Sequence, residues 1–290
     1  MRVYLTGGGR GFVGGHVARE LRGRGLEVRD EWVDLRDADG LRHAIDGCEA
    51  VFHVAALYSF DATEAELEAV NVGGTRNVID VCRACGVRRL VHTSSATTCG
   101  PVAGRAATEE DEPPAWELVV PYKRTKLESE RLVLASGLDA VVVNPTTPVG
   151  EGDHAPTPTG RMVRGVASGR YRAYVGTAGV NLVDVRDVAR GHLLALERGR
   201  SGERYILGGE DLTLREAFAR IAAAAGRRSP RLRVPYAAVR AGAAVGLVNR
   251  NEALLARLPE WFSSDKARRE LGYEPSPLDD ALRRAVADQG

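Results

Sequence analysis

The chain has few of the features that mark a disulfide-bonded, membrane-spanning or nucleic-acid-binding protein. Its 290 residues include only 4 cysteines, too few for a disulfide framework in a chain of this size. The 40 basic and 39 acidic residues nearly cancel, so no net field attracts nucleic acid or an anionic membrane. No apolar run approaches the length of a membrane span, and the first residues enter a strand, which leaves no room for a signal peptide. We therefore expect a cytoplasmic protein whose partners are small molecules, without nucleic acid or membrane.

The cysteines do not indicate a metal site. Cys82-x-x-Cys85 has the spacing of half a zinc site or of a redox pair, but it falls in a helical pattern that begins at Val72. No second pair completes four ligands. We expect no metal.

The hydrophobic residues that are present, 44% of the chain, form apolar strands that alternate with amphipathic helices. The pattern predicts strands at 3–5, 50–54, 89–93 and 140–144, and helices at 12–24, at 71–84 and from Tyr122 to Ser136. This alternation indicates an α/β fold with a doubly wound parallel sheet, whose ligands bind at the carboxyl ends of the strands. After Pro145 the texture changes to a proline-rich loop and then to short mixed elements. We expect a dinucleotide-binding domain at 1–145, to which 181–208 returns, and a small substrate-binding lobe at 146–180 and 209–290.

The turn after the first strand reads Thr6-Gly-Gly-Gly-Arg-Gly-Phe-Val-Gly14 and gives a G-x-x-G-x-x-G spacing. Glycines there let the backbone approach a pyrophosphate at a helix N-terminus, where open N–H groups favour negative charge. In this strand-turn-helix context the turn predicts dinucleotide binding, with an ordinary glycine turn as the alternative. The residues expected at the dinucleotide are Gly8, Arg10, Gly11, Phe12, Val13 and Gly14.

The sequence after the second strand leaves NAD and NADP open, with a slight preference for NAD. Asp30 lies where an acid holds the adenosine ribose hydroxyl of NAD. Arg29, Arg10 and Arg36 are arginines that suit a 2′-phosphate instead. The pair Asp34-Leu35 either meets the adenine or caps the next helix.

The helix after residue 120 carries the pattern that points to catalysis. Tyr122 and Lys126 are four residues apart and share a helix face, so the ammonium can favour the ionised phenol. A phenol with an ordinary pKa of about 10 then becomes an acid or base near neutrality. The alternative is a packed tyrosine with a solvated lysine neighbour. Ser95 lies in a Thr-Ser-Ser run after a strand.

These motifs together resemble the extended short-chain dehydrogenase/reductases, in matching order across nearly the whole chain. Within that family the Pro156 to Arg161 loop and the Gly202 to Glu210 segment are most similar to the hopanoid-associated sugar epimerases, a branch close to dihydroflavonol reductases. The motifs that carry the resemblance are the glycine turn, Asp34-Leu35, His53-Val54-Ala55-Ala56, Asn71-Val72-x-Gly-Thr75, Thr93-Ser94-Ser95, Tyr122-x-x-x-Lys126 and Asn144-Pro145-Thr146-Thr147-Pro148-Val149-Gly150.

The resemblance implies a Rossmann domain with a small C-terminal substrate lobe, and a homodimer through the helices at 72–84 and 122–136. It implies Tyr122 as acid/base, Lys126 as its electrostatic partner and ribose anchor, and Ser95 as the holder of the reacting oxygen. Asn71 either holds a proton-relay water, as its family counterpart does, or merely caps a helix. Further cofactor contacts are expected from Ala55, Ala56 and Pro145.

Four departures from the family pattern affect what carries over. The glycine turn has one residue more than usual, so Gly7 or Gly8 fills its first position, and the segment 27–34 is much shorter than in most relatives. Cys99 stands where relatives often have a tyrosine. Ser95 lacks the acidic neighbours of the dehydratases, which makes elimination of water a poor fit.

The substrate and the direction of the reaction stay open at this point. Substrate contacts are expected from Ser95, Thr97, Tyr122, Thr147, His154 and Arg161. Arg161 suits a phosphate or carboxylate, as in a sugar nucleotide, or a surface ion pair. Hydride transfer at a secondary alcohol or ketone fits two activities equally, an epimerase that retains its cofactor and a dihydroflavonol-reductase-like ketone reductase that releases it. A non-catalytic dinucleotide sensor is the remote alternative, since such proteins typically lack the tyrosine.

Overall fold

The computed structural model of the protein describes residues 1–58, 62–154 and 157–288. Pro156, one of the residues that carried the family resemblance, lies outside these ranges. The strands are β1 Arg2–Leu5, β2 Glu27–Arg29, β3 Ala50–His53, β4 Arg89–Thr93, β5 Ala140–Pro145, β6 Thr147–Val149, β7 Ala173–Val175, β8 Gly179–Asp184, β9 Arg204–Leu207, β10 Glu210–Thr213, β11 Leu232–Val234 and β12 Pro259–Glu260. The helices are α1 Phe12–Gly23, α2 Ala38–Ile45, α3 Glu64–Leu67, α4 Gly74–Ala84, α5 Pro121–Leu134, α6 Pro158–Ala167, α7 Val185–Arg198, α8 Leu214–Ala224, α9 Tyr236–Ala244, α10 Arg250–Leu255, α11 Asp265–Leu271 and α12 Leu278–Ala287.

Six parallel strands form the large sheet, in the order β2-β1-β3-β4-β5-β9. Both faces of this sheet are covered, which is why its central strands read as continuous apolar runs. One face packs on α1 and α7, and the other on α2, α4 and α5. The order of strand addition switches sides at β1, since β2 lies on one side of it and β3 on the other. This is the point where doubly wound sheets open a ligand crevice. The predicted fold class is confirmed.

A second region stands at the carboxyl end of that sheet. Its mixed sheet has the order β10-β8-β12, with β6 also paired to β8, and β7 pairs with β11 beside it. Its core lies between this sheet and helices α6, α8 and α12. The expected return at 181–208 begins at α7 in the structure, because 181–184 is still part of β8 in the second sheet.

Two local expectations were wrong. The helix predicted at 71–84 begins as a π-helical turn, Glu68–Gly73, before α4 continues it. The next helix starts at Ala38 with Asp37 as its cap, because the Asp37 carboxylate accepts the Gly40 N–H at 3.0 Å. Asp34 is therefore not the cap.

Candidate active site

A cavity of about 450 Å³ lies between the carboxyl ends of β4 and β5 and the second region. Five of the six predicted substrate contacts line it: Ser95, Thr97, Tyr122, Thr147 and Arg161. The structure thus brings together residues from two strand ends and two helices that are distant in the sequence. Such a convergence of polar groups in a cleft is the usual arrangement of an active site.

The turn after β4 holds Ser95 at this cavity. Ser95 begins a 3-10 turn, Ala96–Thr98, and its Oγ accepts the Thr97 hydroxyl at 3.0 Å. The Ser95 carbonyl accepts the Thr98 hydroxyl at 2.8 Å and the Asn144 amide at 3.2 Å. The Asn144 amide also donates to the Glu130 carboxylate on α5 at 2.7 Å, and the single Thr98 hydroxyl proton is shared between the Ser95 carbonyl and this carboxylate, which lies 2.8 Å away.

The Glu130 carboxylate is itself buried and ion-paired. It is 1% exposed, and its Oε1 accepts the Arg204 guanidinium of β9 at 2.7 Å. Glu130 therefore connects the Ser95 turn, helix α5 and strand β9 of the large sheet. Buried charges of this kind are tolerated only when paired and hydrogen-bonded, as here.

Tyr122 lies in the first turn of α5, where Pro121 begins the helix after the Val120 cap. Its ring packs against the ring of Tyr58, with 4.3 Å between centroids. Burial raises the pKa of the Tyr122 phenol above its ordinary value. The expectation that Lys126 brings this pKa toward neutrality is not met in the chain alone, because desolvation dominates.

Lys126 is fixed one turn further along α5. Its ammonium is 3% exposed and donates to the Thr93 carbonyl at 2.7 Å. Burial lowers the pKa of Lys126 to about 8, and Glu130 opposes that shift. An ammonium has three N–H groups, so two are left for a ligand above the end of β4. This is the position expected of a ribose anchor.

Asn71 neither caps a helix nor faces open solvent. It lies 3% exposed in the π-helical turn, where its amide accepts the Leu57 N–H at 2.7 Å and donates to the Leu57 carbonyl at 3.1 Å. It also donates to the Thr125 hydroxyl of α5 at 3.2 Å. The side chain thus ties the segment after β3 to the catalytic helix, which makes it a positioning residue for Tyr58 and Tyr122.

The glycine turn fits a dinucleotide. Gly7, Gly8 and Gly9 all have positive φ, and a Cβ on Gly9 would meet the Asp30 carboxylate at 2.6 Å. Gly11 precedes α1 without a side-chain cap, so the first N–H groups of this helix are open to an anion. A Cβ on Gly11 would contact nothing, since that backbone faces empty space. Phe12 and Val13 are half-buried in the first turn of α1, with Gly14 buried and Arg10 exposed.

The charged residues near the expected adenosine site differ in whether their side chains are already paired. Asp30 lies against the glycine turn and pairs with Arg22 at 2.8 Å. Arg29 is held by Glu31 at 2.8 Å and also donates to the carbonyls of His43 and Asp46. The Arg36 guanidinium pairs with Asp34 at 2.6 Å, and its hydrogen bonds lower the pKa of that carboxyl to about 2. Two of the three arginines considered for a 2′-phosphate are thus engaged elsewhere.

Leu35 does not present its side chain to an adenine. It is 4% exposed and packs against Gly74 of α4, where a Cβ would lie 2.5 Å from it. The short connection from β2 to α2 draws this residue into the core instead. Of the remaining predicted cofactor contacts, Ala55 abuts Gly7, Ala56 is exposed beside it, and Pro145 ends β5.

His154 is the predicted substrate contact that lies apart. Its imidazole is 78% exposed and faces Asp288 at 3.7 Å, and it is not among the described residues that line the cavity. The extended loop carries it toward the C-terminal helix α12. The sequence of this proline-rich loop does not indicate that the His154 imidazole lies near α12 and away from the cavity.

Two charged cavity residues were missed in the sequence. Lys123 follows Tyr122 and is 4% exposed, with its ammonium bound to Glu117 and, at 2.7 Å, to Glu260 of β12. Lys123 and Glu260 both line the cavity. Burial raises the pKa of the Glu117 carboxyl, since its desolvation outweighs the attraction of Lys123. The only available signal was the position next to Tyr122, because Glu260 is distant in the chain.

Most of the remaining cavity wall is apolar and comes from the second region. These side chains are Met162, Tyr171, Val175, Val180, Leu214, Phe218 and Leu255. They line the same cavity as Ser95 and Tyr122.

The described residues contain no group of three histidine, cysteine or acidic side chains that could hold a metal ion. In the same ranges no helix combines the length and the apolar character that crossing a bilayer requires.

Comparison with known proteins identifies the family. The NAD dependent epimerase/dehydratase family matches residues 3–208. A dihydroflavonol 4-reductase-like protein of Synechocystis sp. is 36% identical over 98% of this chain and 93% of its own length. The 2-alkyl-3-oxoalkanoate reductase of Stenotrophomonas maltophilia is 33% identical over 99% of both chains. A solved structure of the dTDP-glucose 4,6-dehydratase DesIV from Streptomyces venezuelae, with NAD bound, has a TM-score of 0.81 and 26% identity over 99% of this chain and 96% of that one. The chain thus belongs to the NAD-dependent epimerase/dehydratase family and is an NAD(P)-dependent enzyme of the extended short-chain dehydrogenase/reductase type.

Proposed function

We propose that this enzyme reduces the ketone of an apolar small molecule, with alkyl or ring groups, to a secondary alcohol, and releases the oxidised cofactor. The single observation that carries the proposal is the apolar wall of the cavity that Ser95 and Tyr122 also line. Apolar side chains bind apolar substrate surface by removing it from water, and they offer no partner to a diphosphate. Two relatives at 33% identity or more have names that denote reductases.

The mechanism follows from the side chains at the cavity. Ser95 and Tyr122 hold the substrate carbonyl oxygen, and the Tyr122 phenol gives its proton to that oxygen as the alcohol forms. When a reduced nicotinamide cofactor is held beside Lys126, its chemistry would be to supply the hydride for the carbonyl carbon. Lys126 stabilises the resulting phenolate and uses its free N–H groups to hold the ribose. The raised pKa of the Tyr122 phenol keeps its hydroxyl protonated before the reaction.

The network around Glu130 contributes by orientation. Ser95 is hydrogen-bonded through Thr98 and Asn144 to the same carboxylate that pairs with Arg204. The serine hydroxyl and the tyrosine helix therefore share one rigid support. Catalytic groups that are held in advance lose little entropy when the substrate arrives.

We propose NAD rather than NADP as the preferred cofactor. Asp30 lies beside the glycine turn and is free to accept a ribose hydroxyl through the oxygen that does not pair with Arg22. A 2′-phosphate would meet this carboxylate, while Arg29 and Arg36 are engaged with Glu31 and Asp34. The comparison of kcat/KM with NADH and with NADPH tests this preference.

A second candidate function is a sugar-nucleotide epimerase. Arg161 lines the cavity and suits a phosphate, and the similar protein DesIV is a dTDP-glucose 4,6-dehydratase. The apolar wall makes this the weaker proposal. An epimerase converts its substrate without net consumption of reduced cofactor, and this distinguishes the two.

The remaining expectations about assembly and location also stand as proposals. We propose a homodimer through α4 and α5, which rests on the family resemblance. Four apolar residues of these helices are already buried within one chain: Val78, Val81, Leu127 and Val133. Their burial therefore does not require a partner chain. Sedimentation at micromolar concentration tests the dimer. A cytoplasmic location and the division into a domain at 1–145 and a substrate lobe are likewise retained.

The proposed function is tested with a panel of ketones and sugar nucleotides. The purified protein is incubated with NADH or NADPH and each compound, and cofactor oxidation is followed by absorbance. We expect turnover of ketones that carry alkyl or aromatic groups. Turnover confined to sugar nucleotides, without cofactor loss, would instead support the epimerase.

A further inference from the structure

The surface of the second region has an unusual charge distribution from the end of α8 to the start of α10. Residues 226–251 contain six arginines and no acidic residue, although the whole chain has a net charge of only +1. All six are exposed: Arg227, Arg228, Arg231, Arg233, Arg240 and Arg250. We refer to residues 226–251 as the basic segment.

The arginines of the basic segment lack acidic partners in the part of the chain that the structure describes. Among the described residues, no ion pair involves any of the six. On the dinucleotide-binding side, by contrast, arginines such as Arg2, Arg29 and Arg89 pair with acids. The net charge of the chain is near zero, but the basic segment is locally positive. Its positive field would attract an anionic surface.

The same segment exposes large apolar side chains. Leu232, Val245 and Leu247 are 65%, 72% and 82% exposed. Single exposed apolar residues are ordinary, but these flank one helix, α9.

The outward face of α9 continues this apolar character. Only Val239 is buried in this helix, and Ala237, Ala241 and Ala244 on the other side are exposed. Arg240 is the one charged residue of α9. A helix with small apolar residues and arginine facing outward, followed by exposed valine and leucine, suits the interface of a lipid bilayer.

The basic segment also borders the cavity. Strand β11, which carries Leu232, pairs with β7, whose Val175 lines the cavity. Helix α10 carries Arg250 at one end and the cavity residue Leu255 at the other. An apolar ligand in a bilayer would thus be near the wall that receives it.

We propose that the basic segment docks the enzyme on the surface of an anionic lipid bilayer, with arginines on the headgroups and Leu232, Val245 and Leu247 in the interface. Charge complementarity and exposed apolar side chains together select this partner. Nucleic acid would use the arginines but not the leucines. The docking does not depend on the proposed reductase activity, since it is measured without turnover.

The test is flotation of the purified full-length protein with vesicles of phosphatidylcholine, with and without phosphatidylglycerol. We expect retention on the anionic vesicles that decreases with added salt, and little on phosphatidylcholine alone. Equal retention on both, or none on either, would overturn the proposal.

Two variants separate the contributions of charge and apolar contact. Arg240→Gln with Arg250→Gln should lower the partition coefficient at least about tenfold, since each basic residue near such a surface contributes about fivefold. Val245→Ser with Leu247→Ser should lower it by a similar factor without removing any charge. The matched control is Arg42→Gln with Arg215→Gln, two exposed arginines outside the segment, which should change it less than about twofold.

Further outcomes identify the other partners. Binding of a DNA or RNA duplex that is lost with the arginines and unchanged by the serine variant would replace the bilayer with nucleic acid. Self-association in the absence of lipid that Val245→Ser with Leu247→Ser abolishes would assign the surface to a second copy. Unchanged thermal unfolding midpoints ensure that no variant loses binding by misfolding.

Discussion

The cavity has a floor, defined as Ser95 and Tyr122 with the adjoining Lys126 at the carboxyl end of the large sheet, and a wall, formed by the apolar side chains of the second region. The two differ in how their side chains are held. On the floor, the Lys126 ammonium donates to the Thr93 carbonyl at the end of the large sheet, and the Ser95 carbonyl accepts the Thr98 hydroxyl. On the wall, Met162 and Phe218 belong to the second region and are held by apolar contacts. The floor is rigid and carries groups for proton transfer, whereas the wall has the adaptability of apolar packing. The chemistry should therefore depend on the floor, and the choice of substrate on the wall.

The largest effect is expected where the floor meets the core. Glu130→Ala leaves the Arg204 guanidinium without its buried partner and should lower the free energy of unfolding by about 3 to 5 kcal/mol. Glu128→Ala, on the same helix, removes only an exposed carboxylate at 3.8 Å from Arg124 and should cost less than about 1 kcal/mol. Urea denaturation measures both. Equal losses of unfolding free energy in the two variants would mean that the hydrogen-bond network around Glu130 does not stabilise the fold.

Tyr122→Phe tests the proton donor itself. It should lower kcat at least about a hundredfold and leave the dinucleotide Kd nearly unchanged, because the hydroxyl acts on the substrate proton. Steady-state kinetics and fluorescence titration of the cofactor provide the two readings. A variant that keeps more than about a tenth of the activity would remove Tyr122 from this role.

Lys126→Ala should change the pH profile as well as the rate. Burial lowers the pKa of Lys126 to about 8, so its positive charge is present below that pH and lost above it. Without this charge the phenolate is harder to form, and alcohol oxidation should begin at higher pH, with a kcat lower by roughly tenfold. The cofactor should also bind more weakly. An unchanged pH profile of oxidation would contradict the electrostatic role.

The wall is tested by Met162→Glu. A carboxylate in this apolar lining should lower kcat/KM for an apolar ketone by about tenfold, because the substrate no longer buries its surface against a neutral side chain. Met162→Leu, of similar volume, should stay within about threefold. Neither variant should affect cofactor binding. Equal kcat/KM values for the two variants would show that the wall does not select the substrate.

The smallest effect is expected at the cofactor end. Asp30→Ser removes the carboxylate that disfavours a 2′-phosphate and should raise kcat/KM with NADPH relative to NADH by about fivefold. The ratio is measured with one ketone at constant pH. If the ratio falls, the preference for NAD does not arise at Asp30.

The dinucleotide half was easier to predict from sequence than the substrate half. The glycine turn, Ser95 and Tyr122 follow directly from strand or helix ends, so local spacing carries information about their places. Lys123 and Glu260 meet at the cavity although they are far apart in sequence, and that contact depends on how β12 joins the second sheet. The position of the His154 side chain likewise depends on a contact with a distant segment, since it faces Asp288, and it was not predictable from local spacing.

Smaller errors on the dinucleotide side came from backbone detail. The π-helical turn that contains Asn71 has the same apolar spacing as a regular helix start, so the pattern did not reveal it. Leu35 was drawn into the core by the short connection after β2, which spacing rules derived from longer relatives do not anticipate. The pKa of Tyr122 depends on burial, and a sequence does not contain that quantity.

The central claim is that the protein reduces a ketone by net hydride transfer, and isotope transfer tests it most directly. The ketone with the highest turnover is incubated with stoichiometric reduced nicotinamide cofactor that carries deuterium at C4, and the product is examined by mass spectrometry. The account predicts one deuterium in each alcohol formed and one cofactor oxidised for each product. An isomerised substrate, with no deuterium in it and no net loss of reduced cofactor, would contradict the account.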